Sequence, residues 1–283
     1  MPGDNDSSRV YTPLYEARHG QRFERRDLIQ AYERIHGCDL IVVSDAIFPY
    51  GLALWEELLS GFDGTRTLHV ILNSPGGDGE MAIRLVRSAQ ARCTSLVVVI
   101  PDAAKSAATL FALGAHEILM GPTSDLGPID PQFLLEGRSG LVSAKSIIEA
   151  VDHASLQVQE APETYPVWAS LLADVTAIQY QQARAAIGRT ADQMKEALAS
   201  NPTRSVDEVA ELCARLAGPL ISDPQSHSAV FAAADAARAG LPVTQLDPVG
   251  DHWRELWRLW SRYITLGERA IYESARASQV LQR

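Results

Sequence analysis

Between Asp39 and Met120, four short apolar runs alternate with segments of helical spacing. The runs are Asp39 to Ser44, Leu68 to Leu72, Ser95 to Ile100 and Glu117 to Met120. Between them, Leu52 to Leu59, Met81 to Ala91 and Ser106 to Leu113 read as helices. Short apolar strands alternating with helices predict parallel βαβ units, and sites in such sheets collect at the carboxyl ends of the strands.

Two of those strand-to-helix turns carry unusual chemistry. The run ending at Leu72 enters Asn73-Ser74-Pro75-Gly76-Gly77, and the run ending at Ile100 enters Pro101-Asp102-Ala103-Ala104-Lys105-Ser106-Ala107-Ala108. Small residues on both sides of Ser106 let another backbone come close. The apolar run Leu110, Phe111, Leu113 follows at once, so Ser106 lies near a helix start, where unpaired N–H groups favour developing negative charge. A serine at a helix start is usually a cap, and Pro-Gly-Gly is usually only a turn. Two such turns side by side would instead surround one hydroxyl with backbone donors, the arrangement of an oxyanion hole.

The order and spacing of these motifs, NSPGG and then a serine in an alanine-rich turn 30 residues after Gly76, resemble the Clp-protease/crotonase pattern. The longer string AKSAATLFALGAHEILMGPTSDLGPIDPQ resembles the serine dehydrogenase proteinase family, a soluble relative of signal peptide peptidase A and of the archaeal stomatin protease. The likeness covers Asp39 to Phe133 well and His227 to Leu246 loosely. It implies an α/β fold of the Clp-protease/crotonase type, with a repeated β-β-α core, and a serine endopeptidase that cleaves peptides or unfolded proteins without ATP, metal or cofactor. It also implies a homo-oligomer, leaves an unfoldase partner open, and assigns the oxyanion hole to the N–H groups of Gly77 and Ala107. Gly76 and Gly77 suit a substrate backbone's approach because a Cβ would block it. The family often has Ala-Gly where this chain has Ala107-Ala108, a departure that bears on substrate size more than on chemistry.

A serine hydroxyl needs a base. Clp-type proteases use a downstream histidine, but no histidine occurs between His116 and His153. The signal peptide peptidase and stomatin-protease relatives use a lysine. Of 25 basic residues only Lys105, Lys145 and Lys195 are lysine, and arginine stays protonated. Lys145, 39 residues after Ser106, opens a helix with Ile147, Ile148 and Val151, and apolar burial can lower a lysine pKa from about 10.4. A Ser106-Lys145 dyad is the expectation, with a solvated surface lysine as the plain alternative. Lys105 is the second candidate. It matches the family string, but adjacent side chains rarely face each other, so electrostatic or structural support suits it better. Asp130 either orders the base and its loop or serves a turn.

After Phe133 the pattern changes. Residues 143 to 217 read as a helical elaboration broken near Pro162 to Pro166, and Val230 to Ala239 as a helix before a short strand at Val243 that closes the core. The expected layout is an N-terminal arm and helix (1–37), the core (38–135), the elaboration (136–217), the return segment (218–250) and a C-terminal amphipathic helix (251–283). In that last segment Trp253, Trp257 and Trp260 recur at helical spacing opposite Arg254, Arg258 and Arg262. Such a face packs on its own domain or on a subunit, with membrane-surface attachment the weaker alternative. A net charge of -10 without a dense basic cluster argues against nucleic acid. No run is long enough to span a bilayer and no signal-peptide core opens the chain, so a cytoplasmic protein without a transmembrane segment is expected. Cys38, Cys93 and Cys213 read as reduced, buried thiols. Two other readings compete with the peptidase. A crotonase-like acyl-CoA enzyme is weakened by the hydroxyl at the turn and the missing arginine cluster for phosphates. The other is a non-catalytic or partner-activated scaffold.

Overall fold

Apolar strands covered on both faces organise this chain. The computed structural model describes residues 12–134, 140–224, 229–267 and 269–282. Residues 1–11 of the expected arm, and His227, lie outside the described residues. In chain order the elements begin with α1 (Pro13–His36), β1 (Cys38–Ser44), α2 (Gly51–Leu59), β2 (Thr67–Asn73) and α3 (Gly79–Gln90). There follow β3 (Ser95–Ile100), β4 (Ala103–Ala104), α4 (Ala107–Leu113), β5 (Glu117–Met120), β6 (Asp125–Leu126), β7 (Gln132–Leu134) and β8 (Leu141–Ser143). Helices α5 (Ala144–Glu160), α6 (Tyr165–Leu171), α7 (Ala177–Ala199) and α8 (Val206–Ala217) form the elaboration. The chain returns through β9 (Phe231–Ala232), α9 (Ala233–Arg238), β10 (Val243–Gln245), α10 (Asp251–Ile264), β11 (Arg269–Ser274) and β12 (Ser278–Gln282).

The main sheet has the order β10-β5-β3-β2-β1-β11-β12. The first five strands pair in parallel, while β11 runs antiparallel to β1. Alternate side chains of each strand feed two apolar layers. Ile41, Val70 and Val98 face α2, α3, α4, α7 and α8, whereas Leu40, Val42, Val97 and Val99 face α1 and α10. A small second sheet, β4-β6-β9, stands beside the carboxyl ends of β2 and β3, and a hairpin, β7-β8, leads into α5. This is the mixed α/β architecture expected of a Clp-protease/crotonase-like chain.

Several expectations are corrected. Helix α1 runs from Pro13 to His36, so within the expected arm-and-helix segment the helix already begins at residue 13, with proline in the first turn where its missing N–H is harmless. The segment read as a helix from Val230 begins instead as β9, because Phe231 and Ala232 complete the small sheet against Leu126 and Asp125. The elaboration breaks at residues 172–176 and 200–205 as well as near Pro162, each new helix opening on a Thr176 or Ser205 capping box. The C-terminal helix stops at Ile264, and the rest of the described tail is the β11-β12 hairpin on the edge of β1. Helix α10 buries Leu256, Leu259, Trp260 and Tyr263 against α1 and the sheet and leaves Trp257 exposed. Among the described residues no helix is long and apolar enough to cross a membrane. Of the thiols only Cys38 is fully buried, and burial pushes it up to about 12.

Candidate functional site

The two turns singled out in the sequence are hydrogen-bonded to each other. Ser74 N–H donates to Ala103 O at 3.0 Å and Lys105 N–H donates to Ser74 O at 3.0 Å, so the NSPGG turn extends the small sheet by one bridge. Asn73 Oδ1 accepts from Ala103 N–H at 3.3 Å. Ser74 Oγ accepts from Gly76 N–H at 3.1 Å and tightens the turn from inside. Gly76 (φ 106) then lies so near the second turn that an added Cβ would stand 2.7 Å from Ser106 Cβ. On the other side, Ile47 N–H donates to Gly76 O at 2.8 Å and Asp78 N–H donates to Ile47 O at 2.7 Å. A Cβ on Gly77 would fall 2.2 Å from Ile47 O. Asp78 Oδ1 accepts from the N–H groups of Glu80 and Met81 at 2.8 and 3.2 Å and so caps α3.

Ser106 precedes α4 at φ 51 and ψ -114, the positive-φ non-glycine among the described residues. A side chain held in that region costs on the order of 1–3 kcal/mol and persists only where its surroundings impose it, as they often do at functional sites. Ala107 and Ala108 are buried, and Ser106 itself is partly open. The Gly77 and Ala107 N–H groups, on either side of Ser106, have no acceptor among the described residues.

Two clefts meet at Ser106. One, of about 390 Å³, runs past Phe48, Pro75, Gly76 and Leu141. The other, of about 220 Å³, runs beneath Gly77 and Ala107 to Leu110, Ile129 and the α7 residues Thr190 and Gln193. Asp130 lines both clefts. Its Oδ1 accepts from Ser143 Oγ at 2.8 Å, and Ser143 Oγ in turn accepts from Lys145 N–H at 3.1 Å at the start of α5.

The structure thus brings together Gly76, Gly77, Ser106, Ala107 and Asp130. The two lysine amines point elsewhere. Lys145 Nζ donates to the carbonyls of Ser222 and Pro224 and lies 3.7 Å from Glu149 Oε1. Lys105 Nζ pairs with Asp125 on β6, with Ala229 O at 3.4 Å. Lys105 thereby ties the Ser106 turn to β6. Ile47, Phe48 and the α7 side chains were not singled out in the sequence. No local signal marks the α7 residues, which reach the site only through packing of the elaboration on α3 and α4.

Comparison with known proteins adds to this geometry. Two uncharacterized proteins of Methanocaldococcus jannaschii are 33% and 32% identical to this chain over 100 and 98 residues. Each stretch is 34% of this chain, and the chain spans about a third of the length of these curated relatives, 33% and 32%. The structure is similar, at a TM-score of 0.47 and 13% identity over 85% of both chains, to a membrane-bound stomatin-specific protease, solved as a lysine-to-alanine mutant with a substrate peptide. The family model of the ClpP-like SDH-type serine proteinases matches residues 63–206, a span that holds both turns and runs through α7, and the chain belongs to that family.

Proposed function

We propose that this chain is a serine endopeptidase in which Ser106 is the nucleophile, Lys145 the general base, and the N–H groups of Gly77 and Ala107 the oxyanion hole. The observation that carries this reading is the pair of N–H groups without acceptors on either side of a serine held at positive φ in a cleft. Ser106 Oγ attacks the scissile carbonyl carbon and passes its proton to Lys145 Nζ. The carbonyl oxygen becomes an oxyanion held by the two N–H groups. Collapse breaks the C–N bond, the leaving amine takes the proton from Lys145, and water then hydrolyses the acyl ester by the same steps in reverse. To act as base, the Lys145 amine must leave the Ser222 carbonyl and give up its proton, so substrate binding and the seating of α5 are coupled. Asp130, linked through Ser143 to the start of α5, supports that seating.

Peptides or unfolded segments are the substrates, because an extended chain fits an open cleft lined by backbone donors. The active form is a homo-oligomer. Tyr165, Val167 and Leu171, exposed on α6, supply apolar surface for subunit contact. A fluorophosphonate probe tests the dyad. Labelling at Ser106 is expected, to vanish in Ser106→Ala and to slow by about 10²-fold or more in Lys145→Ala. A folded wild-type protein that takes no label would overturn the reading, and undiminished labelling of Lys145→Ala would remove Lys145 from it.

A further inference from the structure

The smaller cleft holds both N–H groups assigned to the scissile carbonyl, so the side chain on the carbon beside that carbonyl can enter it. The walls near Ser106 are apolar, from Ala107, Leu110 and Ile129. The far end is polar and comes from one helix, α7. There Arg189 donates to both Glu80 oxygens at 2.6 and 2.8 Å and to Glu196 Oε1 at 2.7 Å. Those hydrogen bonds hold the Glu80 carboxyl below the ordinary carboxylate range. An ionised Glu80 can only accept, so the Gln193 amide must turn its nitrogen toward it, and Nε2 donates to Glu80 Oε1 at 2.9 Å. Gln193 Oε1 is thereby left as an acceptor with no donor among the described residues. Thr190 Oγ1 donates to Ala186 O at 2.9 Å and keeps its lone pairs. Arg189, with three of its five N–H bonds engaged, keeps donors.

We propose that this cleft receives the substrate residue on the acyl side of the cleaved bond and selects an uncharged side chain with a hydrogen-bonding end, glutamine fitting best. The proposal rests on the peptidase reading of Ser106. A carboxamide offers two donors to Gln193 Oε1 and Thr190 Oγ1 and a carbonyl to Arg189, while its methylenes lie against Leu110 and Ile129. Size agrees. A volume of about 220 Å³ is small beside the roughly 300–1,000 Å³ of whole-ligand pockets and suits a single side chain. Neither charged end satisfies the whole set. A carboxylate has no donor for Gln193 Oε1 and Thr190 Oγ1 and meets Asp130 at the entrance, and an ammonium has no acceptor for the remaining Arg189 donors. An aliphatic side chain of equal length would fill the walls but bury the Gln193 acceptor without a partner, a loss of about tenfold or more in rate.

The test uses peptidyl phosphonate esters alike except for the side chain beside phosphorus, carrying glutamine, leucine, glutamate or lysine, with the rate of labelling at Ser106 as readout. Glutamine is expected to react about tenfold faster than leucine or more, and faster still than either charged side chain, a margin set by one satisfied hydrogen bond. Gln193→Leu should reverse the order of glutamine and leucine. Thr190→Val, which keeps shape and leaves the Glu80 contact intact, should narrow it. Leucine equal to or ahead of glutamine in the wild type, or a ratio unmoved in both variants, overturns the pocket. A simple fluorophosphonate run in parallel separates the two levels: labelling by it alone rejects the pocket and keeps the nucleophile, and labelling by neither rejects both.

Discussion

Replacing Gly76 by alanine separates the peptidase reading from a merely structural turn. At φ 106 an added Cβ would lie 2.7 Å from Ser106 Cβ and 2.8 Å from Lys105 O. Carbon atoms pack at about 3.5–4.0 Å, so the two turns must part by roughly 1 Å. The Ser106 turn cannot yield cheaply, because Lys105 O accepts from Ala108 N–H at 2.9 Å and Thr109 Oγ1 donates to Ala104 O at 2.8 Å. The glycine turn moves instead and carries the Gly77 N–H with it. Backbone strain costs about 1–3 kcal/mol. At about 2–4 °C of melting temperature per kcal/mol, that is roughly 2–12 °C. The displaced donor costs more in rate, about 10²- to 10³-fold, as when one oxyanion-hole donor is removed. The assay is the rate of fluorophosphonate labelling at Ser106, measured well below the melting temperature. Gly37→Ala is the control: Gly37 sits at φ 65 with nothing within 4 Å, and it precedes β1, at the end of that strand away from the site. It should lower the melting temperature and leave labelling intact. Labelling of Gly76→Ala within threefold of wild type would refute the argument that the glycine turn holds an oxyanion donor.

Two further outcomes concern α1 and the sheet face it covers. Glu273 is fully buried on β11 and accepts from Arg22 at 2.6 Å and Arg25 at 3.1 Å, tying α1 to the C-terminal hairpin. Glu273→Ala leaves a buried guanidinium uncompensated and should cost about 3–5 kcal/mol in urea unfolding. A loss under about 1 kcal/mol would mean the pair contributes nothing, and Arg25→Met with Glu273→Leu should recover most of the loss. His69 and His252 both hydrogen-bond to Tyr32 OH, at 2.9 and 3.2 Å, and the His36 ring lies 4.2 Å from that of His252. Burial first, then the neighbouring His36, lowers both pKa values to about 4. A histidine whose folded pKa lies below its unfolded value of about 6.5 stabilises the fold above that value, and the contribution disappears as pH falls toward 4. Stability should therefore decline between pH 6.5 and 4, by roughly 2–3 kcal/mol from the buried His69 and by less from the more open His252. Urea midpoints across that range are the measurement. A flat profile, or one unchanged in His252→Gln, would contradict it.

What the sequence disclosed and what it hid follow from the range of the interactions involved. The strands were legible because apolar runs covered on both faces keep their identity wherever they pack. The Gly76-Gly77 and Ser106 turns were legible because small residues at a strand end have few uses. The positive φ of Ser106 was not, because nothing in an alanine-rich string sets it; the close approach of Gly76 and the ladder from Ser74 to Lys105 impose it from another turn. The β11-β12 hairpin was hidden behind the stronger periodicity of α10, whose aromatic stripe drew the whole tail into one helical reading. The cleft's far wall was hidden for a deeper reason. Gln193, Thr190 and Arg189 lie on a mostly exposed helix whose residues have no mark of function until Glu80, at the start of α3, is set beside them. That contact couples the cleft's far wall to the glycine turn, since Asp78 caps the same first turn of α3. One short stretch, Gly76 to Glu80, therefore carries the proposed oxyanion donor at one end and orients the Gln193 amide at the other. On the proposed reading, a change in the elaboration should alter which side chain is accepted without disturbing the hydroxyl and the two N–H groups.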